Sequence, residues 1–319
     1  MNYSSPSFTV RVRHVLWCMI LGWTVSFVVG NLAVHATPLS AQVLPTQSEN
    51  KPILPSSVNA YLNAVPYTAV LEQATTPATQ TVTYGAATAQ FYQVWSPHPQ
   101  QPLLVFIHGG CWLSAFDIQH TYGLMRALAE QGFTVVGLEY RRSGETGGGW
   151  PVTLEDVQAG LAHILQHVEY DRTETVNLLG HSAGGHLALL ASMQGNASWS
   201  NGRSIAVHSL AGIVNFEQYY FGKEDQEGTS LNSCQKAAAQ FATPEIARSK
   251  AINPIQQSFA SNMSQVILWS GSADNIVAED QAWHPQANIK SIKGAGHFDF
   301  VHAQSQAWQQ IMQTLKESL

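Results

Sequence analysis

The chain has 319 residues, 45% of them hydrophobic, which is enough for one large α/β domain or two small ones. Only 11% are charged and the formal net charge is −6, so no basic footprint marks a nucleic-acid partner. No internal repeat of roughly 20–50 residues is visible, which argues against solenoids and propellers.

Arg11, Arg13 and His14 precede an apolar run from Val15 to Val34, and no acidic residue stands before Glu49. Val34-His35-Ala36 then offers small residues at the positions a signal peptidase reads, so residues 1–36 read as a secretory signal cleaved after Ala36 or Ala41. The run is also long enough to span a bilayer, and an uncleaved anchor over residues 15–34 is the alternative. Membrane contact is expected only in that second case. Cys18 lies inside the run without the small residues of a lipoprotein site before it. Cleavage leaves Cys111 and Cys234; export permits a bridge between them, and two buried free thiols are the alternative.

Residues 37 to about 80 are rich in Pro, Thr, Gln and Ser and read as a linker or loosely docked lead-in, with order expected from Thr81. Thr81–Tyr84 and Gln90–Trp95 read as short strands around a Gly-Ala turn. Leu103–Ile107 is a continuous apolar run, as in a strand buried on both faces of a parallel sheet. A helix over Tyr122–Gln131 stops at Gly132, and the strand Thr134–Leu138 and the helix Leu154–Val168 follow. Next come the strand Thr175–Leu179, the helix Ala183–Met193 and the strand Ile205–Leu210. Gln265–Trp269 and Asn288–Ile292 are the last expected strands, before a closing helix over Gln304–Lys316. This alternation predicts an α/β fold with a mostly parallel sheet and helices on both faces, in one domain over residues 81–319. Residues 215–258 break the rhythm and are expected to form a small cap above the carboxyl ends of the strands, where ligands bind.

The chemistry-bearing motifs sit at those strand ends. Gly180-His181-Ser182-Ala183-Gly184 joins an apolar strand to a Leu/Ala-rich helix. Small residues around Ser182 permit the sharp turn that holds a nucleophilic hydroxyl out, and the helix N-terminus aims free N–H groups at the same point. His108-Gly109-Gly110-Cys111-Trp112 follows the strand Leu103–Ile107, and its glycines let the backbone approach a substrate. Gly109, Gly110 and Ala183 are the expected donors to an oxyanion, with Cys111 N–H as a substitute. A serine needs a base, and Lys293-Gly294-Ala295-Gly296-His297 brings an imidazole back after the last strand, with His302 the weaker candidate. The acid that orients it is expected at Asp274, in the loop after Gln265–Trp269; Glu279 and Asp280 read instead as first-turn acids of a helix.

These four pieces, in this order, resemble the α/β-hydrolase superfamily over roughly residues 80–317. The His-Gly-Gly loop is similar to that of hormone-sensitive-lipase-like, kynurenine-formamidase-like and feruloyl-esterase-like carboxylesterases, and Glu139-Tyr140-Arg141-Arg142 looks like their tyrosine-arginine segment. The resemblance implies the α/β-hydrolase fold, a triad Ser182–Asp274–His297 and an oxyanion hole from Gly109, Gly110 and Ala183. Cys111, where many lipases have a third glycine, is the departure. Trp112, Tyr140 and Trp150 are candidate substrate-pocket residues, with ordinary packing as the alternative for each. His163 and His167 lie one helical turn apart without a third ligand, so no metal and no cofactor are expected. His181 and His186, which flank the elbow, are read as structural. The expected partner is a small-molecule ester or amide, cleaved by acyl transfer. An arylformamidase-like amidase or an exopeptidase would share the motifs, and a catalytically silent binding module is the rival of another class. The chain is short for an exopeptidase with a propeller. The acyl group, the leaving group and the oligomeric state are not legible.

Overall fold

A computed structural model describes residues 64–222 and 230–317. The expected signal or anchor, and most of the lead-in, lie outside those residues.

Eight strands form one sheet: β1 Gln80–Thr83, β2 Phe91–Trp95, β3 Leu103–Ile107, β4 Thr134–Leu138, β5 Val176–His181, β6 Ile205–Leu210, β7 Met263–Gly271 and β8 Asn288–Ile292. Their spatial order is β1-β2-β4-β3-β5-β6-β7-β8, antiparallel from β1 to β4 and parallel from β4 to β8. Every residue of β3, β4, β5 and β6 is buried, so these strands are dominated by apolar side chains, with Asn177, His208 and Ser209 among the buried polar exceptions. The period-2 geometry of a strand then splits each run between two layers. Val105 and Ile107 face a core shared with Val157, Leu161 and Leu187, whereas Leu104 and Phe106 face one shared with Leu124, Leu128 and Ile311.

The helices of those layers are α2 Tyr122–Ala129, α3 Val152–His167, α4 Ala183–Ala191 and α8 Gln306–Glu317. The chain steps from β3 outward to β4, then crosses back over β3 to β5. The loops after β3 and β5 therefore diverge at a switch point of strand order, the crevice where open α/β sheets bind ligands.

One part differs from the sequence expectation. The lead-in does not stay loose to Thr81. It forms a short helix α1, Tyr67–Leu71, and Val65 and Val70 are buried in the core. Val65 N–H donates to Asp299 Oδ2 at 2.9 Å, Gln73 Nε2 donates to the Val301 carbonyl at 3.0 Å, and Trp95 Nε1 donates to the Thr76 carbonyl at 3.0 Å. These anchors are backbone groups and single side chains, which leave no periodic signature. The cap-like stretch contains α5 Phe216–Phe221, α6 Ser233–Phe241 and α7 Pro244–Ala247. Asn232 starts α6 with a reciprocal capping box to Gln235. Among the described residues no helix is long and apolar enough to cross a membrane.

Candidate active site

Ser182 sits between the end of β5 and the start of α4 with φ 56° and ψ −120°, a left-handed conformation that costs a side-chain-bearing residue energy. The turn is possible because Gly180 and Gly184, two residues to either side, lack side chains. A Cβ on Gly180 would stand 2.2 Å from the Gly184 carbonyl oxygen, and one on Gly184 would stand 2.1 Å from that of Ile107. Ser182 N–H donates to the Leu210 carbonyl at 2.9 Å, which pins the elbow to the end of β6.

The loop after β3 lies against this elbow. A Cβ on Gly109 would meet the His181 carbonyl oxygen at 2.8 Å and Ser182 Cβ at 3.1 Å, so only glycine permits the approach. Gly110, Cys111 and Trp112 follow with φ of 114°, 54° and 59°, a run of left-handed residues. The N–H groups of Gly109, Gly110 and Ala183 have no backbone acceptor among the described residues. A buried ionic scaffold fixes the loop from below. The Glu139 carboxylate is bonded to His108 Nε2 at 2.8 Å and accepts from Ile118 N–H and Tyr140 N–H, each at 2.9 Å, with Arg142 Nη1 at 3.5 Å. Burial pushes the Glu139 carboxyl up, but His108, Arg142 and the Tyr140 N–H outweigh it and hold it below its ordinary value.

On the other side, His297 opens a turn after β8, and its Nδ1 is 2.7 Å from Asp274 Oδ2. The Asp274 side chain is fully buried, and its Oδ1 accepts from Ile276 N–H at 2.8 Å and Val277 N–H at 2.9 Å. The carboxylate accepts from Nδ1–H, so Nε2 of His297 carries the lone pair. The His297 carbonyl accepts from His181 Nε2 at 2.9 Å, which ties the elbow to this loop. Burial, and then the neighbouring His297 imidazole, hold the His181 imidazole well below its ordinary pKa.

Ser182 and His297 line one cavity of about 420 Å³ with Gly110, His181 and two clusters of side chains. Tyr67, Phe116, His120 and Phe298 form the first. The second is Cys111, Asn232, Ser233, Cys234, Asn275 and Ile276. Cys111 and Cys234 are disulfide-bonded, Cα to Cα 5.1 Å, which joins the glycine loop to α6.

The expected pocket aromatics lie elsewhere. Trp112 is 1% exposed and stacks on Phe241 with centroids 5.0 Å apart. Tyr140 is fully buried, stacks on His108 at 4.5 Å and donates its hydroxyl to the His108 carbonyl at 2.7 Å. Trp150 packs edge-on to Phe241 at 6.3 Å, and none of the three lines the cavity. Their neighbourhood to the motif in sequence reflects support of the loop from behind. The cavity instead takes Phe116 and His120 from the loop after β3 and Phe298 from beside His297, positions that the motifs bracket. Tyr67 had no sequence signal. His302 and Glu279 stay off the cavity. His186 is buried with its Nε2 on the Ile252 carbonyl at 2.8 Å. His163 and His167 stack at 3.9 Å, and no group of three metal-ligating side chains occurs among the described residues.

Known esterases and a formamidase resemble the chain in sequence or fold. A family model described as BD-FAE matches residues 91–288, a span that contains Ser182, Asp274 and the glycine loop and ends before His297. Esterase LipC of Mycobacterium tuberculosis is 26% identical over 246 residues, 69% of this chain and 60% of LipC, so the chain spans less than two thirds of that relative's length. Kynurenine formamidase of Drosophila melanogaster is 30% identical over 101 residues, 30% of this chain and 31% of that one. A solved hyperthermophilic esterase from the archaeon Pyrobaculum calidifontis superposes with a TM-score of 0.60 at 17% identity, covering 79% of this chain and 88% of that one, a likeness of fold.

Proposed function

The chain belongs to the BD-FAE family, and on that premise we propose that it is a serine hydrolase that cleaves carboxylic esters through an acyl-enzyme on Ser182. The observation that carries the reading is the 2.7 Å bond from Asp274 to His297, whose free Nε2 shares a cavity with a strained elbow serine and a glycine loop. The esterase name of LipC supports the ester as substrate.

In this mechanism His297 Nε2 takes the Ser182 proton as Oγ bonds to the carbonyl carbon. The carbonyl π pair moves to oxygen, and the oxyanion rests on N–H groups of Gly109, Gly110 and Ala183. As the pair returns, the C–O bond to the alcohol breaks and His297 gives that alcohol its proton. Water then attacks the acyl-enzyme with His297 again as base, releasing acid and free Ser182. Asp274 stabilises the imidazolium at both steps.

The likeness to a kynurenine formamidase favours a second reading, hydrolysis of an amide or formamide on the same residues. Turnover of matched ester and formamide substrates separates the two. Export is part of the proposal: the apolar run over Val15–Val34 supports a signal or anchor, and the Cys111–Cys234 bridge suits an oxidising compartment. The test is Ser182→Ala, which is expected to fold as the wild type while losing fluorophosphonate labelling and hydrolysis of short p-nitrophenyl esters. Near-full activity in that variant refutes the assignment.

A further inference from the structure

Outside the reacting groups, the cavity lining contains no Asp, Glu, Lys or Arg side chain among the described residues. Its polar side chains are mostly spent on the fold. Asn232 Oδ1 accepts from Gln235 N–H at 2.9 Å, and its Nδ2 donates to the Ile276 carbonyl at 2.8 Å. His120 is different. Its Nδ1 lies 2.5 Å from the Asp117 carbonyl oxygen, which can only accept, so the proton is on Nδ1 and the lone pair on Nε2. That Nε2 has no hydrogen-bond partner among the described residues. Burial first and His108 second push the imidazole down to about 4, so the acceptor is neutral across the physiological range.

The ring is also held rigidly. It sits on the turn Ile118–Thr121, anchored by Ile118 N–H on Glu139 Oε2 at 2.9 Å and by Asp117 Oδ1, which accepts from Gln119 N–H at 2.9 Å. Around it stand aromatic rings: Tyr67 has its centroid 6.1 Å from His120, 6.1 Å from Phe116 and 5.2 Å from Phe298. A fixed, neutral acceptor in an aromatic wall is complementary to a neutral donor. A cation there would lose its water with no carboxylate in the cavity lining to receive it.

Resting on the ester-hydrolase reading, we propose that His120 is a specificity-determining residue whose Nε2 accepts a hydrogen bond from a hydroxyl on the substrate group lodged among Tyr67, Phe116 and Phe298. The preferred substrates are then esters with a hydroxyl on one side of the scissile bond. An analogue lacking it leaves the imidazole nitrogen desolvated and unpaired.

The experiment measures binding apart from chemistry. Calorimetry on the full chain carrying Ser182→Ala gives Kd for two matched pairs. They are methyl para-hydroxyphenylacetate against methyl phenylacetate, and para-hydroxyphenylethyl acetate against phenylethyl acetate. In one pair the hydroxylated member is expected to bind about tenfold tighter. Adding His120→Phe brings that ratio to near unity, and His120→Gln, which keeps an acceptor, retains part of it. Ratios within about twofold of unity in both pairs, or a ratio unmoved by His120→Phe, overturn the proposal. Should His120→Phe fail to fold, the ratio in the parent and in His120→Gln decides. Absence of ester turnover by the wild type counts against the parent reading alone, because Kd is read on an inactive chain.

Discussion

Replacing Cys111 and Cys234 together by serine is expected to lower the melting temperature by about 10 °C. The two residues are 123 positions apart, so the bridge closes a long loop in the unfolded chain. Loop-closure entropy for that length is about 16 cal/mol/K, or about 5 kcal/mol at 25 °C. The described unit has about 250 residues, and unfolding entropy of about 2.1 cal/mol/K per residue gives about 0.5 kcal/mol per degree, hence the shift. Scanning calorimetry of wild type and double variant, at equal concentration and without reductant, reads it directly. The loop-entropy argument predicts that the wild type treated with reductant melts near the double variant. A loss below about 3 °C refutes the reasoning, because it means the bridge constrains little that the unfolded chain would otherwise explore.

Asp274→Asn keeps an oxygen for Ile276 and Val277 N–H but loses the acceptor that sets the His297 tautomer; kcat is expected to fall by about 10³–10⁴-fold with an unchanged circular-dichroism spectrum. Gly109→Ala drives a methyl into the His181 carbonyl and Ser182 Cβ, and kcat/KM is expected to fall by at least about 100-fold, read with a p-nitrophenyl ester. Glu139→Gln faces a donor toward buried N–H groups and uncouples Arg142; urea unfolding is expected to show a loss of about 2–4 kcal/mol. His186 and His208 are both buried and held down to about 4, chiefly by burial. The unfolded chain takes up their protons below about 6.5 and the native state does not, so stability is full above that pH and drains until about pH 4. At pH 5 the loss is expected to be about 2 kcal/mol for each, checked by urea unfolding at pH 7 and pH 5.

The sheet was legible because strands buried on both faces are dominated by apolar side chains, as Leu103–Ile107 and Thr134–Leu138 are. The elbow was legible for a steric reason, since Gly180 and Gly184 have no room for a Cβ. Asp274 stood out as a carboxylate just past an apolar strand and His297 as an imidazole in a loop of small residues, and they are hydrogen-bonded in the fold. Legibility failed where one residue serves a distant partner. Nothing around Tyr140 distinguishes a phenol that supports the His108 carbonyl from one that meets a ligand. Nothing around Tyr67 marks a five-residue helix whose anchors are Asp299 and Val301, more than 200 positions away.

That small helix has a bearing on how selectivity is inherited. The span shared with the BD-FAE family begins at residue 91, downstream of α1, yet Tyr67 closes one side of the cavity. Part of the cavity wall is thus encoded upstream of the stretch shared with the family: exchanging residues 64–79 between relatives alters the Tyr67 side of the wall while leaving Ser182, Asp274 and the glycine loop as they are. Diversification of substrate range in such a protein does not have to pass through the motifs around Ser182 and Asp274 at all, and a recombinant version trimmed to the family boundary would carry both residues without the wall that Tyr67 supplies.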